Sequence, residues 1–259
     1  MTDQSPKNNN RLQTLGTPSL TEEIAWFCAK TSFEAKRYND CIRFFNELVK
    51  EQPRISKEQR ELMANAYKRS IGPQRNALLI INEEIESYKQ KANPDIVDSL
   101  TTYQKLIIDE IAKNCNHFLE LIDTTLLPVV TDAQSIVFYN KLKGDYYRYL
   151  SELGYHEDDG NIGRARASYE AAMKAASEDV KMADPIYLGL ILNFCVFQYE
   201  ILNMGDDAID RADASFNEAV RYLEELDEKE YVESTMLLQL LRDNIAIWRE
   251  DRNDDTNHV

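Results

Sequence analysis

The sequence predicts an all-α protein, and three observations lead to that prediction. Glycine and proline are scarce, with 8 and 7 residues in a chain of 259, so the chain has few of the breaks that many short strands require. Apolar residues recur at helical spacing along most of the chain, and no segment shows a convincing strand-like alternation. Helix-start signals precede these segments repeatedly. We therefore expect nine helices, with short connections that make neighbouring helices antiparallel.

Each helix is placed by a start signal, by its periodicity or by both. In a capping box, a Ser or Thr and a Glu or Gln three residues later satisfy two free backbone N–H groups. An N-cap residue before proline is a second signal, because proline lacks the N–H that would be unpaired at the first helical position. In chain order the signals are Ser19 with Glu22, Ser56 with Gln59, Asn93 before Pro94, Thr131 with Gln134, and Asp184 before Pro185. The predicted helices cover about 19–35, 39–51, 57–89, 94–126, 131–152, 161–179, 185–203, 206–225 and 229–250.

These helices form one predicted domain with a tail at each end. Residues 1–18 are polar and can bury little surface, so we expect a disordered N-terminal extension. Residues 19–250 form the helical domain. Residues 251–259 contain three aspartates and are expected to form a flexible acidic tail.

The charge and the cysteines limit where the protein works and what it binds. The net charge of −15, from 45 acidic and 30 basic residues, disfavours nucleic acid and anionic membranes as partners. No apolar run approaches the ~18–20 residues of a membrane-spanning helix. The four cysteines lie far apart and form no C-x-x-C pair, which indicates a reducing compartment. We expect a cytoplasmic protein, with the nucleus as a second candidate compartment.

The sequence contains none of the usual catalytic signatures. It has only 3 histidines, and it lacks H-E-x-x-H, G-x-S-x-G, Walker and G-x-G-x-x-G motifs. The loop from His156 to Gly160 lacks the spacing of a calcium site and is interpreted as solvated charge. We therefore expect a protein that is not an enzyme and that has no metal and no cofactor.

Two basic islands stand out in this acidic chain. Lys68 and Arg75 are seven residues apart, which is two helical turns, or ~10 Å, along one face. Arg148 and Tyr149 lie in the second island. If the two helices face each other, these groups suit a phosphate dianion, because arginine offers bidentate donors. Alternatively, each base pairs with an acid on a solvated surface, and the spacing alone leaves both interpretations open.

Two late helices are more apolar than a one-sided core stripe requires. The segment from Ile186 to Leu202 is apolar on nearly every side, and its exceptions include Asn193 and Glu200, seven apart on one face. If buried, these two need hydrogen-bond partners, either on neighbouring helices or in a groove. The last helix has one face for the core (Leu238, Leu241, Ile245) and a second face left over (Leu237, Leu240, Asn244, Ile247, Trp248). The second face is either further core, a binding wall or a dimer contact.

Four segments of the chain resemble the 14-3-3 family of phosphopeptide-binding adaptors. They are Leu62 to Gly72 (LMANAYKRSIG), Val137 to Leu150 (VFYNKLKGDYYRYL), Leu188 to Asn203 (LGLILNFCVFQYEILN) and Ser234 to Trp248 (STMLLQLLRDNIAIW). Weaker similarity extends from about 20 to 248. The resemblance implies the family fold, in which nine antiparallel helices form a cup with an amphipathic groove. It also implies a homodimer, or a heterodimer with a family member.

The resemblance assigns roles to individual residues. The phosphate pocket would consist of Lys68, Arg75, Arg148 and Tyr149. Asn193 and Asn244 would bind the backbone of an extended peptide, with Glu200 beside Asn193. The apolar wall would consist of Leu192, Val196, Leu237, Leu240, Ile247 and Trp248.

The pocket departs from the family pattern at three positions. Leu78 and Leu79 stand where the family has Trp and Arg, which removes one cation that supports the pocket. Gln74 replaces a basic residue beside Arg75. A hydrogen bond to a charged group contributes roughly 1.5–3 kcal/mol, so we expect a phosphate affinity about one to two orders of magnitude below that of the family.

The dimer surface implied by the resemblance is also altered. The interface positions are occupied by Arg37, Asp40, Tyr103 and Glu110. A pair between Arg37 and Glu110 of two subunits is therefore expected, whereas the position facing Asp40 holds Leu106 and not a cation. Because a surface ion pair contributes only ~0–1 kcal/mol, we expect apolar burial by Trp26, Phe27, Phe33 and Tyr38 to hold the dimer.

The function predicted from the sequence is that of an adaptor. It depends on phosphoserine or phosphothreonine and clamps and regulates its client proteins. The alternative is a phosphate-independent scaffold, or a heterodimer partner, with a degenerate groove, and Leu79 favours it. A third hypothesis is a helical enzyme or a helical-repeat protein of another kind. The sequence shows no cluster of titratable residues that could form an active site, which argues against it.

Overall fold

The computed structural model describes residues 21–154 and 160–257, with side chains as far as Arg252 in the last helix. The expected disordered extension at 1–18, the predicted capping residue Ser19 and the loop residue His156 lie outside the described residues.

Nine α-helices and no strand are present in the described residues, so the all-α prediction is confirmed. In the first half of the chain they are α1 (Glu22–Glu34), α2 (Tyr38–Glu51), α3 (Lys57–Gln90) and α4 (Pro94–Leu121). In the second half they are α5 (Ala133–Glu152), α6 (Asn161–Asp179), α7 (Pro185–Glu200), α8 (Gly205–Val220) and α9 (Glu228–Asn257). Each begins within three residues of its predicted start.

Three of the predicted start signals form the expected hydrogen bonds. The Ser56 N–H donates to Gln59 Oε1 at 2.7 Å, and the Gln59 N–H donates to Ser56 Oγ at 3.2 Å, which completes the capping box of α3. Asn93 caps α4 and Asp184 caps α7, because each side chain accepts a backbone N–H of the first turn, at 3.4 and 2.8 Å. Local hydrogen bonding therefore fixes these starts, as the sequence predicted.

The predicted capping box of Thr131 with Gln134 is wrong. The N-cap of α5 is Asp132, whose carboxylate accepts the Ser135 N–H at 2.8 Å. The Gln134 amide instead donates to Asp184 at 3.1 Å. Asp132 is the N-cap in place of Thr131 because aspartate is a better N-cap residue than threonine.

The end of α4 differs from the prediction, which continued the helix to residue 126. A π-helical turn (Ile122–Leu126) and a 3-10 turn (Leu127–Val129) follow Leu121. Pro128 lies in the 3-10 turn and has no backbone N–H to continue an α-helix. The predicted helix therefore ends in a change of hydrogen-bond pattern.

The last helix is longer than predicted, because α9 continues to Asn257 and not to about 250. Side chains just past the predicted end have partners on earlier helices. Asp251 accepts a hydrogen bond from the Tyr199 hydroxyl at 3.3 Å, and Arg252 pairs with Asp206 at 2.7 Å. These contacts hold the first two of the extra residues, and the flexibility of residues 251–259 stays a prediction.

The chain divides into two compact units, residues up to Ala66 and residues from Tyr67 onward. In the first unit α1 packs against α2. Ala25 and Ala29, one turn apart on α1, are fully buried, and small side chains let two helices approach closely. Trp26 of α1 meets Phe45 of α2, with ring centroids 6.0 Å apart.

One core cluster of the second unit is built by α5 to α9, with α7 at its centre. Five α7 side chains are at most 1% exposed: Leu188, Leu190, Ile191, Cys195 and Phe197. This burial on several sides explains why the helix is apolar all round. Neither α7 nor any other helix in the described part is long and apolar enough to cross a membrane.

A close contact between α5 and α6 depends on a glycine. A Cβ added to Gly144 would lie 2.7 Å from the ring of Tyr169, which is fully buried. Any larger residue would push the ring away, so glycine sets the distance between these helices.

Aromatic stacking joins the second-unit part of α3 to α4 and α5. Tyr67 stacks on Phe118 with centroids 3.9 Å apart, and Phe118 meets Tyr146 edge-on at 4.8 Å. All three rings are nearly inaccessible to solvent. This stack positions the faces of α3 and α5 that carry the basic islands.

The four cysteines are free thiols. Burial raises the pKa of the Cys41, Cys115 and Cys195 thiols to about 12, so these three stay protonated near neutral pH. Cys28 of α1 is half-buried.

Candidate functional site

The structure brings the two basic islands together through one carboxylate. Arg75 of α3 pairs with Glu152 of α5 at 2.7 Å, Nη2 to Oε2, across 77 positions of sequence. Arg148, one turn before Glu152, pairs with its other oxygen at 2.6 Å, Nη1 to Oε1. Two guanidinium groups therefore converge on one anion in the second unit.

Tyr149 lies beneath both arginines. The guanidinium carbons of Arg75 and Arg148 are 4.2 and 4.9 Å from the centre of its ring. Burial raises the pKa of the Tyr149 hydroxyl to about 12, and Asp145 adds to the effect. The hydroxyl therefore keeps its proton at neutral pH and can donate to an anion.

Arg148 is the more enclosed of the two arginines, with 12% of its side chain exposed against 38% for Arg75. Its Nε–H is buried and has no hydrogen-bond partner among the described residues. Burial alone lowers the pKa of Arg148, but the neighbouring acids outweigh it and raise that pKa above its ordinary value. These neighbours are Tyr169, Glu152, Tyr149 and Asp145. Arg148 therefore stays positively charged, and no described residue accepts a hydrogen bond from its Nε–H.

Lys68 lies two turns before Arg75 on the same helix. Its side chain is exposed, and it has no ion pair within the part of the chain that the structure describes. With Arg75 it gives this face of α3 two positive charges.

A second carboxylate, Asp145, lies one heptad before Glu152 on α5. Its Oδ1 accepts the Tyr169 hydroxyl at 2.7 Å and the Asn193 amide at 2.8 Å, and its Oδ2 pairs with Lys141 at 2.9 Å. Asp145 thereby joins α5, α6 and α7. One N–H of Asn193 is occupied in this way, which leaves its carbonyl and second N–H for another partner.

Sequence reasoning missed both Asp145 and Glu152. A signal was present, because Lys141 with Asp145 and Arg148 with Glu152 are i,i+4 pairs on one helix. The long-range partners, Tyr169 and Arg75, were not visible from such spacing.

The two faces of α9 differ in exposure. Leu238, Leu241 and Ile245 are buried, at 4, 1 and 5% exposure. Leu240 and Ile247 are 51 and 55% exposed. Leu237 and Asn244 are half-buried, as are Leu192, Asn193 and Val196 of α7, and Glu200 at the end of α7 is exposed.

Trp248, which the sequence analysis groups with the second face, is buried, in line with the further-core alternative for that face. Its side chain is 5% exposed and belongs to the core. It stacks on Tyr199 of α7, with centroids 4.8 Å apart and planes 14° from parallel. Trp248 lies three residues after Ile245 and seven after Leu241, so helical periodicity places it with the core face. Its predicted role in the apolar wall stays untested.

The departures from the family pattern have different environments. Leu78 is buried, at 9% exposure, whereas Leu79 and Ile80 are 63 and 62% exposed. Leu79 lies one turn after Arg75, so an exposed apolar side chain follows the arginine on its face of α3. The Gln74 side-chain oxygen is buried and has no hydrogen-bond partner among the described residues.

The predicted dimer residues are accessible. In the first unit Arg37 pairs with Asp40 at 2.7 Å, and Arg43 pairs with the same carboxylate at 3.3 Å. In the second unit Tyr103 is 50% exposed, and Glu110 is exposed as well. The pair between Arg37 and Glu110 of two subunits stays a prediction.

Within the described residues, no group of three or more His, Cys, Asp or Glu side chains is arranged to hold a metal ion. The chemistry that the converging arginines offer is the binding of an anion.

The chain is similar to proteins of one family. The 14-3-3 protein family model matches residues 28–249. The chain is 36% identical over 233 residues to 14-3-3 protein 7 of Solanum lycopersicum, covering 90% of this chain and 92% of the relative. It is 38% identical over 240 residues to 14-3-3-like protein B of Hordeum vulgare, covering 91% of each. It is 35% identical over 236 residues to 14-3-3 protein 3 of Entamoeba histolytica, covering 91% and 98%. The chain therefore belongs to the 14-3-3 family.

Proposed function

We propose that this chain is an adaptor that binds client proteins through phosphorylated serine or threonine and acts by holding or masking the bound segment. Its family is one of phosphopeptide-binding adaptors, which supports the proposal. The observation that carries it is the convergence of Arg75 and Arg148 on Glu152, at 2.7 and 2.6 Å. The client leaves chemically unchanged, because the adaptor catalyses no reaction.

The charge of the site suits a phosphate. Lys68, Arg75 and Arg148 supply three positive charges, and Glu152 supplies one negative charge, so two positive charges are in excess. A phosphorylated side chain carries about −1.5 to −2 charges at neutral pH. The protonated Tyr149 hydroxyl adds an uncharged donor. This excess lies in a chain with a net charge of −15, so the attraction is local.

The remaining predicted residues would hold the peptide on either side of the phosphate. Asn193 keeps free hydrogen-bonding groups for an extended backbone, and Asn244 is half-buried on α9. Apolar peptide side chains would contact Leu192, Val196, Leu237, Leu240 and Ile247, with Trp248 behind them.

The affinity for phosphate is expected to be lower than is usual in the family. Leu79, exposed one turn after Arg75, contributes no cation. A lost charged hydrogen bond weakens binding by about one to two orders of magnitude.

The second candidate is a phosphate-independent scaffold, and the same residue favours it. Leu79 and Ile80 together expose apolar surface beside Arg75. A peptide that binds there by apolar burial would not need the arginine pair.

Dimerisation, to itself or to a family member, would give the adaptor two binding sites. Two linked sites raise the apparent affinity for doubly phosphorylated clients through effective concentration. The cytoplasm, with the nucleus as a second compartment, fits the four free cysteines.

The test is fluorescence anisotropy with a labelled peptide of the type R-S-x-pS-x-P, which the family prefers, and with its unphosphorylated twin. We expect the protein to bind only the phosphorylated peptide. Arg75→Ala with Arg148→Ala should abolish that binding, because both guanidinium groups are removed.

The matched control is Arg221→Ala, which removes an exposed arginine of a different ion pair, 2.9 Å from Glu218. It should bind as the unchanged protein does. Equal binding of the two peptides, or a double variant that still binds, would favour the scaffold.

A further inference from the structure

Glu152 occupies the place where an external anion is expected to bind. Each of its two oxygens takes one arginine, at 2.7 Å from Arg75 and 2.6 Å from Arg148. A ligand anion that binds both guanidinium groups must therefore share them with Glu152 or displace it. The protein already contains one ligand for its own anion site.

This internal carboxylate is tethered close to its partners. Glu152 lies one turn after Arg148 on α5, so it stays within reach of that arginine whenever the helix is formed. Its side chain is 26% exposed, so it can swing toward water when another anion arrives. An anion from solution competes against a group that is always present at the site.

The competition has different results for a carboxylate and for a phosphate. A glutamate or aspartate of a client offers two oxygens and one negative charge, which is what Glu152 already provides. A phosphate offers three oxygens and about −1.5 to −2 charges. The protonated Tyr149 hydroxyl and the Arg148 Nε–H, which has no partner among the described residues, are donors that Glu152 does not use. A phosphate that replaces Glu152 therefore gains hydrogen bonds and electrostatic attraction, whereas a carboxylate gains neither.

We propose that Glu152 is a specificity-determining residue, an internal carboxylate that excludes acidic side chains of clients from the arginine pair and admits phosphate. This inference rests on the proposed function, because it concerns the same site. Glu152 would then be the residue that makes the site bind a phosphorylated side chain and reject an acidic one.

The experiment measures binding of three labelled peptides that are identical except at one position, which holds phosphoserine, glutamate or serine. Each is titrated against the unchanged protein, Glu152→Gln and Glu218→Gln. Glu218 is the matched control, because it is also paired with an arginine, Arg221, at 2.9 Å. Thermal unfolding of each variant shows that it is folded.

We expect Glu152→Gln to strengthen binding of the glutamate peptide by about tenfold or more. Binding of the phosphoserine peptide should change much less, so the ratio between the two affinities falls. The serine peptide should stay weak, which shows that the gain requires an anion. Glu218→Gln should leave all three affinities unchanged.

Three results would overturn the inference. An equal gain for both anionic peptides would make Glu152 a general source of repulsion. A loss for the phosphoserine peptide without a gain for glutamate would make it a structural support for the arginines. No change in either affinity would give it no role in discrimination.

Failure of the proposed function is distinguishable from these results. If the unchanged protein does not bind the phosphoserine peptide, the proposed function fails. A gain of glutamate binding in Glu152→Gln would even then support the exclusion of carboxylates, and no gain would overturn it.

Discussion

Asp145 and Glu152 lie one heptad apart on α5, and both are carboxylates that meet cations, yet their surroundings differ. Asp145 is 6% exposed at the side chain and has three partners, one each on α5, α6 and α7. Glu152 is 26% exposed and meets two arginines, of which Arg148 keeps an Nε–H without a partner among the described residues. Asp145 therefore stabilises the fold by joining three helices. Glu152 is the one that we propose a ligand anion displaces, because it is less buried than Asp145.

The largest expected effect comes from removing the buried carboxylate. Asp145→Ala would leave Lys141, Tyr169 and Asn193 without their shared acceptor, and breaking a buried ion pair costs about 3–5 kcal/mol. Glu152→Gln should cost less, about 1.5–3 kcal/mol, because Arg148 is 12% exposed and loses a charged hydrogen bond while the amide oxygen still accepts. Urea denaturation followed by circular dichroism measures both free energies of unfolding. Equal losses would remove the distinction between the two carboxylates.

The next effect concerns the glycine that allows Tyr169 to approach Asp145. Gly144→Ala would place a Cβ 2.7 Å from the Tyr169 ring, and such overpacking costs about 1–3 kcal/mol. Gly163→Ala on α6 is the control, because no atom lies within 4 Å of its added Cβ. It should stabilise the helix by roughly 0.5–1 kcal/mol. Thermal unfolding compares the two, and a stabilised Gly144→Ala would show that the helices tolerate a wider spacing.

The smallest expected effect concerns the affinity of the arginine pair for a phosphopeptide. Leu79→Arg places a cation one turn after Arg75 and should strengthen phosphopeptide binding by about tenfold. Ile80→Arg adds the same charge at a neighbouring position with nearly the same exposure, 62 against 63%. It points ~100° away around the helix and should have little effect. Calorimetric titration gives both affinities, and an equal gain would mean that only net charge matters.

Much of the fold was predictable because its determinants are local. The caps at Ser56, Asn93 and Asp184 use side chains within three residues of the backbone groups that they satisfy. The cap predicted at Thr131 was wrong because the next residue, Asp132, is a better N-cap. Trp248 was grouped with the second face of α9, whereas its spacing from Leu241 and Ile245 places it beside the core.

The site was predictable only in part, because its chemistry depends on distant partners. The resemblance selected Arg75 and Arg148, and the structure shows that they share one carboxylate. The role of that carboxylate could not be read from the sequence, since its contact with Arg75 spans 77 positions. Likewise, Asp145 has an i,i+4 partner in Lys141, but the hydroxyl and amide that complete its shell come from other helices.

The unequal burial of the four thiols has a practical consequence. Cys41, Cys115 and Cys195 are fully buried and hold their protons to about pH 12, so an electrophile at neutral pH meets almost no thiolate there. Cys28, half-buried on α1, is the accessible thiol. A maleimide dye added to the unaltered protein should therefore attach at one place, in the unit that does not contain Arg75, Arg148 or Glu152. The chain thus offers single-site labelling without any substitution.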